Sequence, residues 1–150
     1  MKLYLDTSVF GGFFDEEFKE ITRILFKEID EGNHQIVISN LTIEELATAP
    51  AGIRDLIEII PDRYKEFVGM DEGIKFMANK YIEENVVSKK YLFDALHIAL
   101  ASFNRVDVLV SWNFKHMVNL NRIRQYNSVN FKYGYPVIDI RTPREVINEK

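Results

Sequence analysis

The chain contains no cysteine among its 150 residues. Disulfides and thiolate metal sites are thereby excluded, so any bound metal must rely on oxygen or imidazole ligands. No apolar run approaches the roughly 18 residues needed to cross a bilayer, and the amino terminus lacks the charged-then-apolar order of a signal peptide. A soluble cytoplasmic protein with no membrane partner is expected. There is no basic excess either: 19 Lys and Arg stand against 23 Asp and Glu, a net charge of −4. That argues against a broad basic face for nucleic acid, yet leaves room for a local patch. An acidic cluster filled by a divalent cation would make the figure misleading, because the ion inverts the local field. Repeats, low-complexity tracts and linkers are also missing, and 47% hydrophobic content in 150 residues suits one core rather than two. A single domain over 1–150 is expected.

What is present is organised around Leu3-Tyr4-Leu5-Asp6-Thr7-Ser8, an apolar run that stops at an acid followed by hydroxyl residues. In a parallel α/β sheet, ligands bind beyond the carboxyl ends of the strands, so an acid ending the first strand is aimed at that crevice. The competing reading is that Asp6, Thr7 or Ser8 caps the helix that follows.

Helical spacing of Phe18, Ile21, Leu25, Phe26 and Ile29, with a stop at Glu31-Gly32-Asn33, predicts a helix over 15–31. The β-branched run 35–38 predicts a buried strand, and a short helix should begin between Ser39 and Thr42 and end before Pro50. A helix over 51–60 stops at Pro61, and residues 62–70 carry no clear pattern. Further helices are expected over 71–85 and 89–103, the latter apolar almost all round and capped by Ser88. A strand at 106–111, helix over 114–128, a short strand at 135–140 and a capping box at Thr142-Pro143-Arg144-Glu145 complete the pattern. Alternating strands and helices predict a three-layer α/β/α domain with a mostly parallel sheet.

Four side chains could meet at one sheet edge. Glu45 follows the second strand, with two readings: a capping box with Thr42, or a carboxylate on the inward face shared with Leu41. Glu44, one residue round, should be solvated. Asp94 lies among large apolar residues, where an unpaired carboxylate is costly; Lys90, one turn earlier, is its possible ion-pair partner. Asn113 follows the strand at 106–111 and is either an oxygen ligand or a turn residue. His97 and His116 follow Asp94 and Asn113 by three positions each, as ligands or as hydrogen-bonded packing residues. Acids converging without basic partners would repel one another unless a divalent cation sat between them, and Mg²⁺ or Mn²⁺ suits all-oxygen sites. Such an ion activates water for phosphodiester hydrolysis.

The pieces L-D-T-S-V at 5–9, S-N-L-T-I-E-E-L at 39–46, D-A-L-H-I-A-L-A at 94–101 and L-V-S-W-N-F at 109–114 together resemble the PIN-domain nucleases, over Met1 to about Val118. The resemblance implies a PIN-like fold and metal-dependent cleavage of single-stranded RNA, with Asp6, Glu45 and Asp94 as metal ligands and Asn113 at the fourth catalytic position. Many similar members are VapC-type toxins of toxin–antitoxin pairs and often dimerise, which makes an antitoxin and a homodimer the expected protein partners. The chain departs from the family at Asn113, where an acid is common, and near His116, where a later acid often falls. Fewer charges should weaken a second metal more than the first. Lys89, Lys90, Lys115, Arg122 and Arg124 flank Asp94 and Asn113 in sequence and are the candidate RNA contacts, against the plainer reading of surface charge.

Two other strand-then-Asp families fit poorly. A haloacid-dehalogenase-like phosphatase wants a second Asp where Ser8 stands, and a response-regulator receiver wants an acidic pair after the first strand. A catalytically degenerate PIN-like module that binds RNA or protein is the surviving alternative, with Asn113 in its favour. Three acids buried without a metal argue against it.

Overall fold

The computed structural model describes residues 1–148. Five strands form one sheet: β1 (Lys2–Leu5), β2 (Gln35–Ser39), β3 (Lys65–Val68), β4 (Val108–Val110) and β5 (Ile140–Arg141). Their spatial order is β3-β2-β1-β4-β5, and all four pairings are parallel. The helices are α1 (Thr7–Gly12), α2 (Lys19–Asp30), α3 (Asn40–Leu46), α4 (Ala51–Arg54), α5 (Leu56–Ile59), α6 (Glu72–Glu83), α7 (Leu92–Phe103), α8 (Leu120–Lys132) and α9 (Pro143–Val146).

Successive strand side chains point to opposite faces. Tyr4, Val37, Leu109 and Ile140 therefore face a core shared with α6, α7 and α8. Leu3, Leu5, Ile36, Ile38, Val108 and Val110 face a second core under α1, α2, α5 and α9. This is the expected helix–sheet–helix layering. The chain runs outward from β1 to β3 on one side and resumes beside β1 with β4 on the other, so the order reverses between β1 and β4. That reversal is where such sheets open a crevice.

Several boundaries differ from expectation, each for a local reason. The helix expected over 15–31 is α2, which begins only at Lys19 because turns occupy 13–18 after α1; Gly32 ends α2 at φ +84°, as its position anticipated. The stretch 51–60 is two single-turn helices, and residues 62–70 hold the edge strand β3, whose polar Lys65 and Glu66 hide its strand character. Ser88 makes no side-chain cap: a 3-10 turn at Lys89–Tyr91 precedes α7. The helix expected over 114–128 starts six residues later, where Asn119 Oδ1 accepts from Arg122 N. The strand expected at 135–140 shrinks to Ile140–Arg141, because both backbone groups of Ile138 pair with the Asn127 side chain, at 2.7 and 2.9 Å. The Thr142–Glu145 capping box forms as expected. Among the described residues no helix is long and apolar enough to cross a membrane.

Candidate functional site

The site is assembled at the carboxyl ends of β1, β2 and β4, with Asp94 supplied from the first turn of α7. Asp6 occupies the residue before α1, yet its carboxylate does not cap that helix. Ser8 Oγ donates to Asp6 Oδ1 at 2.6 Å, and Ser111 Oγ donates to Oδ2 at 2.6 Å. Ser111 stands one residue past β4, so the two strands at the order reversal are joined through this acid. Neither Ser8 nor Ser111 was among the site residues expected from the sequence, although each follows a strand end. The shared pattern of strand, then acid or hydroxyl, was the available signal.

Glu45 takes the inward position, and the capping box with Thr42 does not form. Ser39 caps α3 instead, accepting from Thr42 N at 3.2 Å. Glu45 Oε1 accepts from Thr7 Oγ1 at 2.7 Å and from His97 Nε2 at 2.5 Å. Glu44 is exposed, as expected. Asp94 is half-buried, and no ion pair joins it to Lys90 among the described residues.

The electrostatics tie the three acids together. Burial pushes the Asp6 carboxyl above its usual range and the Asp94 charge adds to the rise, against the opposing pull of His97, Ser111 and Ser8. Burial likewise raises Asp94, helped by the Glu45 charge and opposed by His116, His97 and the Asn113 amide. Glu45 goes the other way: burial would raise it, but the His97 and Thr7 hydrogen bonds, and the attraction of the His97 ring when protonated, hold it below the ordinary glutamate range. Mutual repulsion among acids that, among the described residues, are ion-paired to no Lys or Arg is the state that a divalent cation relieves.

Asn113 has the turn role that one of its two readings anticipated. Its Oδ1 accepts from Lys115 N at 3.2 Å and His116 N at 3.0 Å, which leaves the amide NH₂ for Asp94. His97 is buried and hydrogen-bonded on both ring nitrogens, to Glu45 and to Tyr4 Oη. His116 is buried against Tyr91, with ring centroids 3.8 Å apart and its Nδ1 unpartnered. Burial, with Arg122 and Lys115 adding, lowers the His116 pKa despite the nearby Asp94.

The hydroxyl-clamped Asp6, the free side of Glu45 and half-buried Asp94 are an all-oxygen, negatively charged donor set that fits a hard divalent ion in kind. As the side chains stand, among the described residues no three of His, Asp and Glu are gathered closely enough to hold one. Glu45 Oε1 is engaged by His97 and Thr7.

Of the basic residues, Lys90 and Lys115 are brought together. Their ammonium groups lie 5.7 and 5.9 Å from the Tyr91 ring centre, three residues before Asp94. Lys89 is exposed on the same turn. Arg122 donates to the Val86 carbonyl at the start of α8. Arg124 is exposed two positions on, a spacing that turns it to another side of the helix.

The comparisons with known proteins agree with this layout. No curated protein matches the sequence significantly. Among solved structures, VapC20 of Mycobacterium tuberculosis, described as a sarcin-ricin-loop-cleaving toxin, aligns with a TM-score of 0.59 at 11% identity, over 75% of this chain and 91% of its own. VapBC2 of Rickettsia felis, bound to a DNA fragment from their promoter, aligns with a TM-score of 0.56 at 14% identity, over 95% and 98%. At those identities the likeness is one of fold. The family model described as the PIN domain matches residues 3–113, a span that opens in β1 and closes on Asn113 and takes in every acid of the site. The chain belongs to the PIN domain family.

Proposed function

We propose that this protein is a metal-dependent endoribonuclease that hydrolyses phosphodiesters of single-stranded RNA. The observation that carries the reading is the placement of Asp6, Glu45 and Asp94 around the carboxyl edge of the sheet at its order reversal, electrostatically coupled and, among the described residues, ion-paired to no Lys or Arg, inside the span that matches the PIN domain. Asp6, Glu45 and Asp94 are the residues that would hold Mg²⁺ or Mn²⁺. When bound, such an ion lowers the pKa of a water and stabilises charge on the phosphoryl oxygens.

The chain's own groups divide the remaining work. Ser8 and Ser111 fix both oxygens of Asp6, and Thr7 and His97 fix one oxygen of Glu45. Asn113 borders Asp94 and orients it. Holding a water or second ion would need the Asn113 oxygen, which the turn already uses. Lys90 and Lys115, gathered on Tyr91, are placed to neutralise the phosphates flanking the cleaved bond, with Lys89 beside them and Arg122 and Arg124 farther along α8.

The VapC and VapBC neighbours of this fold favour a further reading as the toxin of a type II toxin–antitoxin pair, cytoplasmic, homodimeric and held by an antitoxin protein. The test is cleavage of a degenerate single-stranded RNA by metal-stripped protein, with and without Mn²⁺, beside Asp94→Asn. Cleavage that needs the metal and is lost in the variant is expected. Equal inertness of both proteins with Mn²⁺ across neutral pH, alongside retained RNA or protein binding, would replace the enzyme by a degenerate PIN-like binding module.

A further inference from the structure

His97 lies three residues after Asp94 on α7, and a buried histidine there is easily passed over as core. Its surroundings say more. The side chain is 2% exposed, and Tyr4, Ser39 and Thr42 beside it are wholly buried, so no water can substitute for any of their hydrogen bonds.

For a neutral His97 ring the direction of those bonds follows from the donors and acceptors present. An ionised carboxylate only accepts, so the 2.5 Å contact to Glu45 Oε1 places a proton on His97 Nε2. In the neutral ring Nδ1 then has a lone pair, and among the described residues the only hydrogen-bond partner it meets is Tyr4 Oη at 2.7 Å, which must donate. Having given its proton, Tyr4 Oη accepts from Ser39 Oγ at 2.8 Å. Ser39 Oγ in turn accepts from the Thr42 backbone N–H at 3.2 Å, a donor whose proton position is fixed. Each hydroxyl in the series gives one proton and takes one. The series therefore runs one way, from a backbone amide at the start of α3, through the core, to Glu45. Thr7 Oγ1 donates to the same Oε1 at 2.7 Å, and among the described residues no hydrogen bond reaches Oε2.

We propose that His97 is a positioning residue of the nuclease site: held in its Nε2–H tautomer by the Thr42–Ser39–Tyr4 series, it fixes Glu45 Oε1 and leaves Oε2 as the oxygen offered to the divalent cation. The cation rests on the function proposed above; the tautomer does not. A group that orients a ligand from behind typically changes metal affinity or activity about 10- to 100-fold when removed. A histidine that only fills the core would change stability and leave the metal affinity of the folded protein alone.

The experiment has two arms on the full chain. In metal-free protein, nitrogen-15 NMR of the His97 ring at neutral pH should show Nε2–H with Nδ1 unprotonated; an Nδ1–H signal overturns the proposal whatever the enzyme does. In the second arm Mn²⁺ affinity is measured by electron paramagnetic resonance for native protein, His97→Leu, His97→Gln and Tyr4→Phe, each first shown to be folded. Leu at 97 should weaken Mn²⁺ about 10-fold or more and lower kcat with RNA KM unchanged, whereas Gln, which keeps an N–H near the Nε2 position, should recover much of both. Tyr4→Phe keeps the imidazole but removes its donor and should weaken Mn²⁺ several-fold, which preserves the test if Leu at 97 does not fold. Folded variants that bind Mn²⁺ within twofold of native overturn the positioning role. Native protein with no Mn²⁺ binding that Asp94→Asn abolishes overturns the nuclease reading and the cation role with it, a failure distinct from a wrong tautomer.

Discussion

Replacing Asp6 by Asn should make the metal-free protein more stable while destroying its site. Asp6 is 3% exposed, with one hydroxyl donor on each oxygen at 2.6 Å. Two charge-assisted hydrogen bonds contribute roughly 1.5–3 kcal/mol each, whereas taking a carboxylate out of water costs several kcal/mol even after relaxation. Burial wins, since the carboxyl is shifted above its ordinary value of 3.8. A raised acid pKa means that the folded state holds the proton more tightly than the unfolded chain does. The penalty is therefore fully present above the folded pKa, shrinks as pH falls through it, and is gone below 3.8, where both states are protonated. Asn keeps the shape and removes the charge, and the gain at pH 7 should be on the order of 1–3 kcal/mol. At about 2–4 °C per kcal/mol for a chain of this size, thermal melts in EDTA resolve that easily. The native and variant curves should converge toward acid. Saturating Mn²⁺ should reverse the order at pH 7, because ligand at about 1,000 times Kd adds roughly 4.1 kcal/mol to the protein that binds it. A variant less stable than native at pH 7 in EDTA, by a margin that does not change with pH, would refute the reasoning.

Two further expectations rest on separate parts of the molecule. The double variant Lys90→Glu, Lys115→Glu should raise KM for single-stranded RNA and flatten its salt dependence while leaving Mn²⁺ affinity unchanged, as read by cleavage assays at several salt concentrations; an unchanged salt slope would separate these lysines from the substrate. At Gly12 a Cβ would come within 2.7 Å of the Trp112 ring, whose Nε1 donates to Thr22 Oγ1 at 2.9 Å. Gly12→Ala should cost about 1–3 kcal/mol and change the fluorescence of Trp112, the chain's single tryptophan, and both are read in one denaturant titration.

The sheet was legible where strands are buried on both faces. β1, β2 and β4 are short β-branched or apolar runs ending in an acid or hydroxyl, and composition alone locates them. The edges were not. β3 is written Lys-Glu-Phe-Val and owes its place to pairing with β2, a long-range contact that no window of sequence contains. At the other edge, a side chain eleven residues away takes the ladder bonds of Ile138. The acids Asp6, Glu45 and Asp94 were readable because each sits at a local boundary or in an apolar run where a carboxylate is out of place. Their partners Thr7, Ser8, Ser111 and Tyr4 are ordinary residues for their positions. Ser8 bonds its near neighbour Asp6, but Thr7, Tyr4 and Ser111 join the site only when the fold brings together residues 38, 93 and 105 apart in sequence.

Asn113 shows how the turn and the charge of the site are coupled. Its Oδ1 holds the backbone N–H groups of Lys115 and His116, a task that an aspartate performs equally well. Asn113→Asp should therefore preserve the loop. What it changes is the face toward Asp94: an NH₂ that pulls the Asp94 carboxyl down is replaced by a carboxylate that repels it. The already raised Asp94 should rise further, so that the metal-free variant loses stability at neutral pH and regains it as the solution is acidified through the Asp94 pKa. With Mn²⁺ the sign reverses, because a fourth negative group strengthens the attraction for a divalent ion. The expected outcome is several-fold tighter Mn²⁺ binding, a lower Tm in EDTA at pH 7, and a Tm close to native near pH 4. If the substitution leaves Mn²⁺ affinity and the EDTA Tm both unchanged, Asn113 does not share a field with Asp94, and the charge of the site is set by Asp6, Glu45 and Asp94 alone.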